Sequence, residues 1–336
     1  MTSKRRISGL KKARTRYQMT QQDLAKKLGV SQQTITRWER KGGEVPTKYL
    51  KDLAVFLGCR VDALLNRPPS TTAAEKRMEK EQEEEQEKDL PYGTLRLVFG
   101  PSIGPGDESE WNRPPLPGQV TYEYPISERT RSLVYHQMGD RNVPWVVFES
   151  LDDRTVLVNT RQLLSLEMIG DDVEATPPFH HEEVYKAVAE LAHSDFLETG
   201  EMPSDVDDDS SKYSRALLEQ CWELIPEWGG SEGTFEHLHG VVIETVEGHR
   251  TTLVNTEPLL FSELEGLLDE LALCADSTSR MDDWMIDLYS EGYYRATFVR
   301  LGALRLVEVS TVGMATIVEE AIRQEEQDVE RAEGSH

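Results

Sequence analysis

Gln32, Gln33, Thr36, Arg37 and Arg40 recur at the spacing of one helical face, and their chemistry is that of edge recognition. A Gln amide carries a donor and an acceptor side by side and matches the N6/N7 edge of adenine. An Arg fork matches the O6/N7 edge of guanine. Ser31 stands just before this set and Lys41 just after it, and Gln21 opens the helical pattern upstream. Together these eight residues could read base edges and grip the phosphates beside them.

Such a face needs a stiff support, and the intervening residues predict one. Thr20 is a helix N-cap with Asp23 three positions on, a short form of the capping box. Leu24, Ala25 and Leu28 share one helical face. Gly29 follows them, where the chain must turn left-handed at low cost. Ser31 then caps a second helix whose inner side is Ile35 and Trp38. Leu10 and Ala13 precede this pair on a further helix. Pro46 suits a first helical turn, followed by Leu50, Leu53, Ala54 and Leu57, with Gly58 as the stop and Val61, Leu64 and Leu65 closing a small core.

The stretch from about Ile7 to Leu65 resembles the helix-turn-helix of the lambda-repressor/Cro type, the XRE family. The resemblance implies an all-α DNA-binding head in which the helix from Ser31 enters the major groove. It implies a backbone contact for Gln21, base contacts for Gln32 and Gln33, and a base or phosphate contact for Arg37. It also implies a buried ion pair between Arg14 and Glu39. Some relatives of this type cleave themselves at an Ala-Gly or Cys-Gly bond, and this chain has neither dipeptide.

Charge supports the same reading. Residues 1–67 carry a net charge of +11 and residues 68–336 carry −35, which together give the chain's −24. A basic head attracts phosphates and an acidic body is repelled by them. Lys4, Arg5, Arg6, Lys11, Lys12, Arg14 and Arg16 load the N-terminus, and the first of these read as an arm that could follow the DNA backbone.

The 336 residues have room for more than this head. The expected fold is multidomain: an all-α head at 1–67, a charged linker at 68–90, and an α+β body. The body holds an internal repeat. Val146-Val147-Phe148-Glu149 matches Val241-Val242-Ile243-Glu244, and Arg154 to Thr160 matches Arg250 to Thr256. Two similar antiparallel-strand units are expected at 91–213 and 214–314, related by a pseudo-twofold, with a C-terminal helix and charged tail at 315–336. Within them, helices are expected at Glu182–Ala192, Tyr213–Ile225, Asp282–Tyr289 and Ala315–Arg331. Strands are expected at Thr94–Phe99, Tyr293–Val299 and Ala303–Val309.

Other constellations carry less. His237 and His239 would share one face of a strand, with Glu244 five residues on, and the two histidines are weak candidates for metal ligands. Asp205, Asp207 and Asp209 open like a calcium loop, but Ser210 and Ala216 stand where Gly and Glu are required. No Ser–His–Asp, Walker or dinucleotide signature is present, so neither catalysis nor a cofactor is expected. Cys59, Cys221 and Cys274 are scattered, which fits a reducing cytoplasm. No stretch approaches the ~20 apolar residues of a membrane span. The expected partners are double-stranded operator DNA, a second copy of the chain, and a small-molecule or protein effector. A neutralised protein partner, as for an antitoxin, is the alternative.

Overall fold

A computed structural model describes residues 4–6, 10–17, 19–40, 44–64, 89–100, 118–139, 143–170, 176–192, 213–254, 283, 285–289, 296–317, 319 and 323. The chain divides into two compact units, Met1–Leu90 with His180–Thr234, and Pro91–Phe179 with Phe235–His336.

The first unit holds the head. Its helices are α1 (Leu10–Arg16), α2 (Gln21–Lys27), α3 (Gln32–Trp38), α4 (Lys48–Phe56) and α5 (Val61–Leu64). Leu10, Leu24, Leu28, Ile35, Trp38, Leu53 and Leu57 make one buried core with Val45. The Trp38 and Tyr49 rings meet at 5.2 Å and join α3 to α4. Gly29 (φ 65°) ends α2 in a two-bond C-cap: Val30 N–H donates to Ala25 O, and Gly29 N–H to Lys26 O. The sharp turn that sets α3 across α2 follows from it.

Two findings depart from the expected head. Residues Lys4–Arg6 are not a free arm but a strand, β1, paired antiparallel with β2 (Glu44–Pro46). Pro46 therefore closes a strand, and the helix beyond it begins at Lys48. The head also does not stand alone in its unit. Helices α7 (Glu182–Leu191) and α8 (Arg215–Glu227) pack against α4 and against each other. The expected segmentation at 91–213 and 214–314 assigns these helices to the strand units, whereas their contacts group them with the head. Lys51 of α4 reaches Glu183 at 3.5 Å and lies over the Tyr213 ring at 5.4 Å. Asp52, fully buried, accepts the Ser214 hydroxyl, and the Ser214 Oγ in turn accepts from Leu217 N–H to cap α8. On α8, Trp222 is 42% exposed, and Trp228 beyond its end stacks parallel to Tyr185.

The second unit is α+β. A three-stranded sheet has the order β4 (Val120–Ser127), β3 (Pro91–Phe99), β7 (Leu163–Gly170). A five-stranded sheet has the order β5 (Trp145–Glu149), β6 (Arg154–Asn159), β12 (Leu304–Ser310), β8 (Gly240–Thr245), β9 (Arg250–Val254). All pairings are antiparallel. The alternating residues Leu95, Leu97 and Phe99 share a core with Phe148, Val156, Val158 and Leu306, so the two sheets bury a common layer. Helix α6 (Glu128–Gly139) adds Val134 to it. The other face of the larger sheet buries Leu157, Val241, Ile243, Val307 and Val309 with Ile317, from a helical stretch at 311–317.

Both copies of the repeated segment are hairpins, β5–β6 and β8–β9. They flank β12 with non-equivalent strands, since β12 pairs with the second strand of the first hairpin and the first strand of the second. The expected pseudo-twofold is not what these pairings produce. A further hairpin joins β10 (Met285–Tyr289) and β11 (Ala296–Arg300), so the helix expected at Asp282–Tyr289 is in its described part a strand. Met285 and Leu288 favour a helix while Ile286 and Tyr289 favour a strand, and cross-strand pairing with Ala296–Arg300 overrides the short helical pattern.

Candidate nucleic-acid interface

Each element of the reading face is held by a local reason. Thr20 Oγ1 accepts from Asp23 N–H at 3.1 Å while Asp23 Oδ2 accepts from Thr20 N–H at 3.1 Å, so the capping box is closed. The Thr20 hydrogen bonds hold the exposed Asp23 carboxyl below its usual range. Ser31 Oγ accepts from Thr34 N–H at 3.2 Å and starts α3. α3 then shows Gln32, Gln33 and Arg37 to solvent, flanked by exposed Ser31 and Arg40, while Ile35 and Trp38 are buried beneath. Lys41 lies outside the described residues.

Under that face lies a polar buttress. Arg14 of α1 grips Glu39 just past α3 with two bonds, Nε to Oε1 at 2.6 Å and Nη2 to Oε2 at 3.3 Å. Its Nη1 also donates to Met19 O at 2.6 Å. Gln21 Nε2 donates to Glu39 Oε2 at 2.6 Å. Thr36 Oγ1 lies 3.1 Å from Gln21 Oε1 and 3.0 Å from Gln32 O, and shares its one proton between them. Burial pushes the Glu39 carboxyl up, but the hydrogen bonds from Arg14 and Gln21 and the Arg14 charge outweigh it and hold Glu39 low. The Arg14–Glu39 pair implied by the resemblance is thus present. Gln21 and Thr36 belong to this network, a role that helical spacing does not reveal. Both are half-buried, and their polar groups face the seam between α2 and α3, whereas Gln33 and Arg37 are exposed.

Residues 10–64 match a family model described as helix-turn-helix. The head is an XRE-type helix-turn-helix. This XRE-type head is a DNA-binding module, and α2 and α3 are its two motif helices. The match covers the head alone. No curated protein and no solved structure matches the chain.

The weak metal candidates are rearranged. His237 and His239 sit on a helix, α9 (Gly230–His239), not on a strand. Residues two apart on a helix diverge by about 200°, so the pair does not share a face. His237 Nε2 is 3.2 Å from Asp153 Oδ2 and Nδ1 is 2.7 Å from Arg154 Nη2, which makes Nδ1 the acceptor and Nε2–H the donor. Burial lowers the His237 pKa, with Asp153 pulling the other way. His239 packs its ring 4.4 Å from Phe235. Among the described residues, no group of three or more His, Cys, Asp or Glu is arranged to hold a metal. Asp205, Asp207, Asp209 and Cys274 lie outside the described residues. Burial raises Cys59 to about 11 and Cys221 to about 12, so both thiols stay protonated at neutral pH. Among the described residues, no helix is long and apolar enough to cross a membrane.

Proposed function

We infer that this protein is a sequence-specific transcriptional regulator of the repressor kind, which binds operator DNA as a homodimer and carries a sensing or dimerising body behind its head. The observation that carries this reading is the exposed row Gln32, Gln33 and Arg37, with Arg40 just past the helix end, on a helix locked from below by Arg14, Glu39, Gln21 and Thr36. Preorganised donors lose little freedom when they meet base edges, and each good bidentate contact contributes about 1–3 kcal/mol of discrimination. Two such heads related by a twofold would address half-sites ~34 Å apart. The reading makes the protein a binder rather than an enzyme, with no cofactor.

The test is selection of bound duplexes from a random pool by the full chain, alongside Gln33→Ala/Arg37→Ala. A palindromic consensus that the double variant loses supports the reading. A consensus identical in both proteins, or none in either, overturns it.

The strongly acidic body favours a second reading, in which it docks a basic protein partner and the head anchors the pair to DNA. Co-purification of a stoichiometric basic protein with the full chain, released by high salt, would select this reading.

A further inference from the structure

An open sheet ends in two edge strands, and an edge offers unpaired N–H and C=O groups to any other strand. The two sheets of the second unit end in β4, β7, β5 and β9. Two of these edges are closed from within. At β5, Gln137 of α6 donates its Nε2 to Val147 O at 2.9 Å and accepts the Val147 N–H on Oε1 at 2.9 Å, and Thr130 Oγ1 donates to Glu149 O at 2.8 Å. At β4, Pro125 has no N–H to offer, and its carbonyl takes the Leu151 N–H at 2.7 Å. β7 carries no such cover. Among the described residues, its backbone from Leu164 to Gly170 pairs with β3 alone. β9 is open as well, but it is five residues long, starts at the charged Arg250 and has Thr at the next two positions.

The eight residues of β7 include a single charge, Glu167, and that carboxylate already lies 3.2 Å from Arg96 of β3. Leu166 and Met168 pack, half-buried, against the layer between the two sheets. Ser165, Glu167 and Ile169 are in register with Val98, Arg96 and Thr94 and share the other face. We propose that β7 is the dimerising edge of this protein: it pairs antiparallel with β7 of a second copy about a twofold axis normal to the sheet, which joins two three-stranded sheets into one. This gives the proposed homodimer its surface and rests on that reading. Two copies that each carry a net charge of −35 beyond residue 67 repel one another, so a contact between them is favoured where charge is sparse and balanced. A basic protein partner would instead be drawn to the carboxylates of the body. An isologous contact must also be complementary to itself. An axis that keeps most of the strand paired passes through Leu166, Glu167 or Met168. Centring on Glu167 sets two carboxylates directly opposite each other, which destabilises the pair. Centring on Leu166 sets Glu167 opposite Ser165, and centring on Met168 sets it opposite Ile169. Either choice puts an apolar core-face residue on the axis and covers the half-buried edge of the core with its own copy.

The experiment reads the oligomeric state of the full chain by sedimentation equilibrium without DNA. The parent is expected to be a dimer. Ser165→Glu/Ile169→Glu sets a new carboxylate opposite Glu167 in either register and is expected to raise the dimer dissociation constant at least tenfold in about 0.1 M salt. Ser165→Lys/Ile169→Lys sets an ammonium there instead and is expected to keep the dimer. Thr251→Glu on β9 is expected to change nothing. Under oxidation, whichever of Leu166→Cys and Met168→Cys lies on the axis is expected to form a covalent dimer that the parent does not, because opposed Cα atoms about 4.5–5.5 Å apart are within disulfide reach. Thermal unfolding checks that each variant is folded, and the cysteine result decides alone where a charge variant is not. A dimer that the glutamate pair leaves intact, that the lysine pair weakens equally or that Thr251→Glu dissociates overturns the proposal, and so does a lack of crosslinking at both cysteine positions. A monomeric parent overturns the homodimer itself, a result distinct from a dimer indifferent to β7.

Discussion

The unit that contains the head holds two carboxylates thirteen positions apart, one half-buried and one fully buried, and it treats them in opposite ways. Glu39 receives three hydrogen bonds, two from Arg14 and one from Gln21, and its pKa is held below the usual carboxylate range despite burial. Asp52 receives the Ser214 hydroxyl on one oxygen, and its Oδ2 has no hydrogen-bond partner among the described residues. Burial dominates there, the Ser214 bond and the Lys48 charge pull the other way, and Asp52 rises to about 6. The first acid braces the reading helix. The second sits where α4 meets α8 and carries an unrelieved desolvation cost. Donor count and depth act together: the half-buried Glu39 has three donors, whereas the fully buried Asp52 has one.

The largest way to break this contrast is to take away the donor. Arg14→Met leaves Glu39 buried with Gln21 alone. Breaking a buried pair from one side costs roughly 3 kcal/mol, because the remaining charge is uncompensated. Hydrogen exchange of α2 and α3 amides is expected to accelerate accordingly, and affinity for selected DNA to fall at least tenfold. Glu39 has a depressed folded pKa, so its contribution is present above its unfolded value near 4.5 and is lost as pH falls through the lower folded value. The difference between Arg14→Met and the parent should therefore shrink below pH 4. Equal amide protection in both proteins at pH 7 would show that the buttress carries no load.

Asp52 offers the opposite and somewhat smaller effect. Its folded pKa is raised, from 3.8 to about 6, so ionisation destabilises the folded head. That cost is absent below 3.8, grows as pH rises through the window from 3.8 to 6, and is complete at pH 7, where it is on the order of 3 kcal/mol. Asp52→Asn removes the charge while keeping an oxygen for Ser214. It is expected to stabilise the head by about 1–2 kcal/mol at pH 7.5 and by nothing measurable at pH 4, read by chemical unfolding at the two pH values. Destabilisation at pH 7.5 would mean that the ionised Asp52 is held by more than Ser214 and Lys48. Burial also lowers the His181 pKa, so the comparison is made between variant and parent at each pH rather than along one curve.

The two hairpins of the second unit show how far sequence carries. Their strands are nearly the same word, and both form, because alternation of β-branched residues and a tight turn is a local code. Their surroundings differ because their turns differ. The first turn holds Asp153 at φ 66°, and its carboxylate binds His237, Ser310 and the Val312 N–H at the start of the 311–317 helix. The second uses Gly248 at φ 89° in an exposed loop. That long-range partners would converge on one of them is invisible in a window of ten residues. The helix-turn-helix was legible for the converse reason. Thr20, Gly29 and Ser31 each act on a partner three residues away, and Ile35 and Trp38 share a face at that same spacing, so cap, turn and inner face are written locally. The docking of α7 and α8 on α4 was not legible. Asp52 and Ser214 are 162 positions apart, and Asp52 on its own reads as an ordinary solvent-facing acid.

Thr36 is the residue on which local and tertiary readings part by the least energy. By helical spacing it belongs with Gln33 and Arg37 on the outward face. In the folded head it is half-buried, and its hydroxyl steadies the Gln21 amide. Thr36→Val keeps the shape and deletes the donor, at an expected cost of about 1 kcal/mol in head stability. Gln21 then keeps its bond to Glu39 but loses its second anchor. Selected DNA is expected to bind a few-fold more weakly with an unchanged consensus, and Thr36→Ser is expected to recover most of the loss. A direct base contact would behave differently. It would leave stability intact and relax the preference at a single base pair by about 1–3 kcal/mol. Thermal unfolding together with base preference measured on the same variant therefore separates a buttress from a reader. A relaxed consensus with unchanged unfolding would move Thr36 back to the outward face.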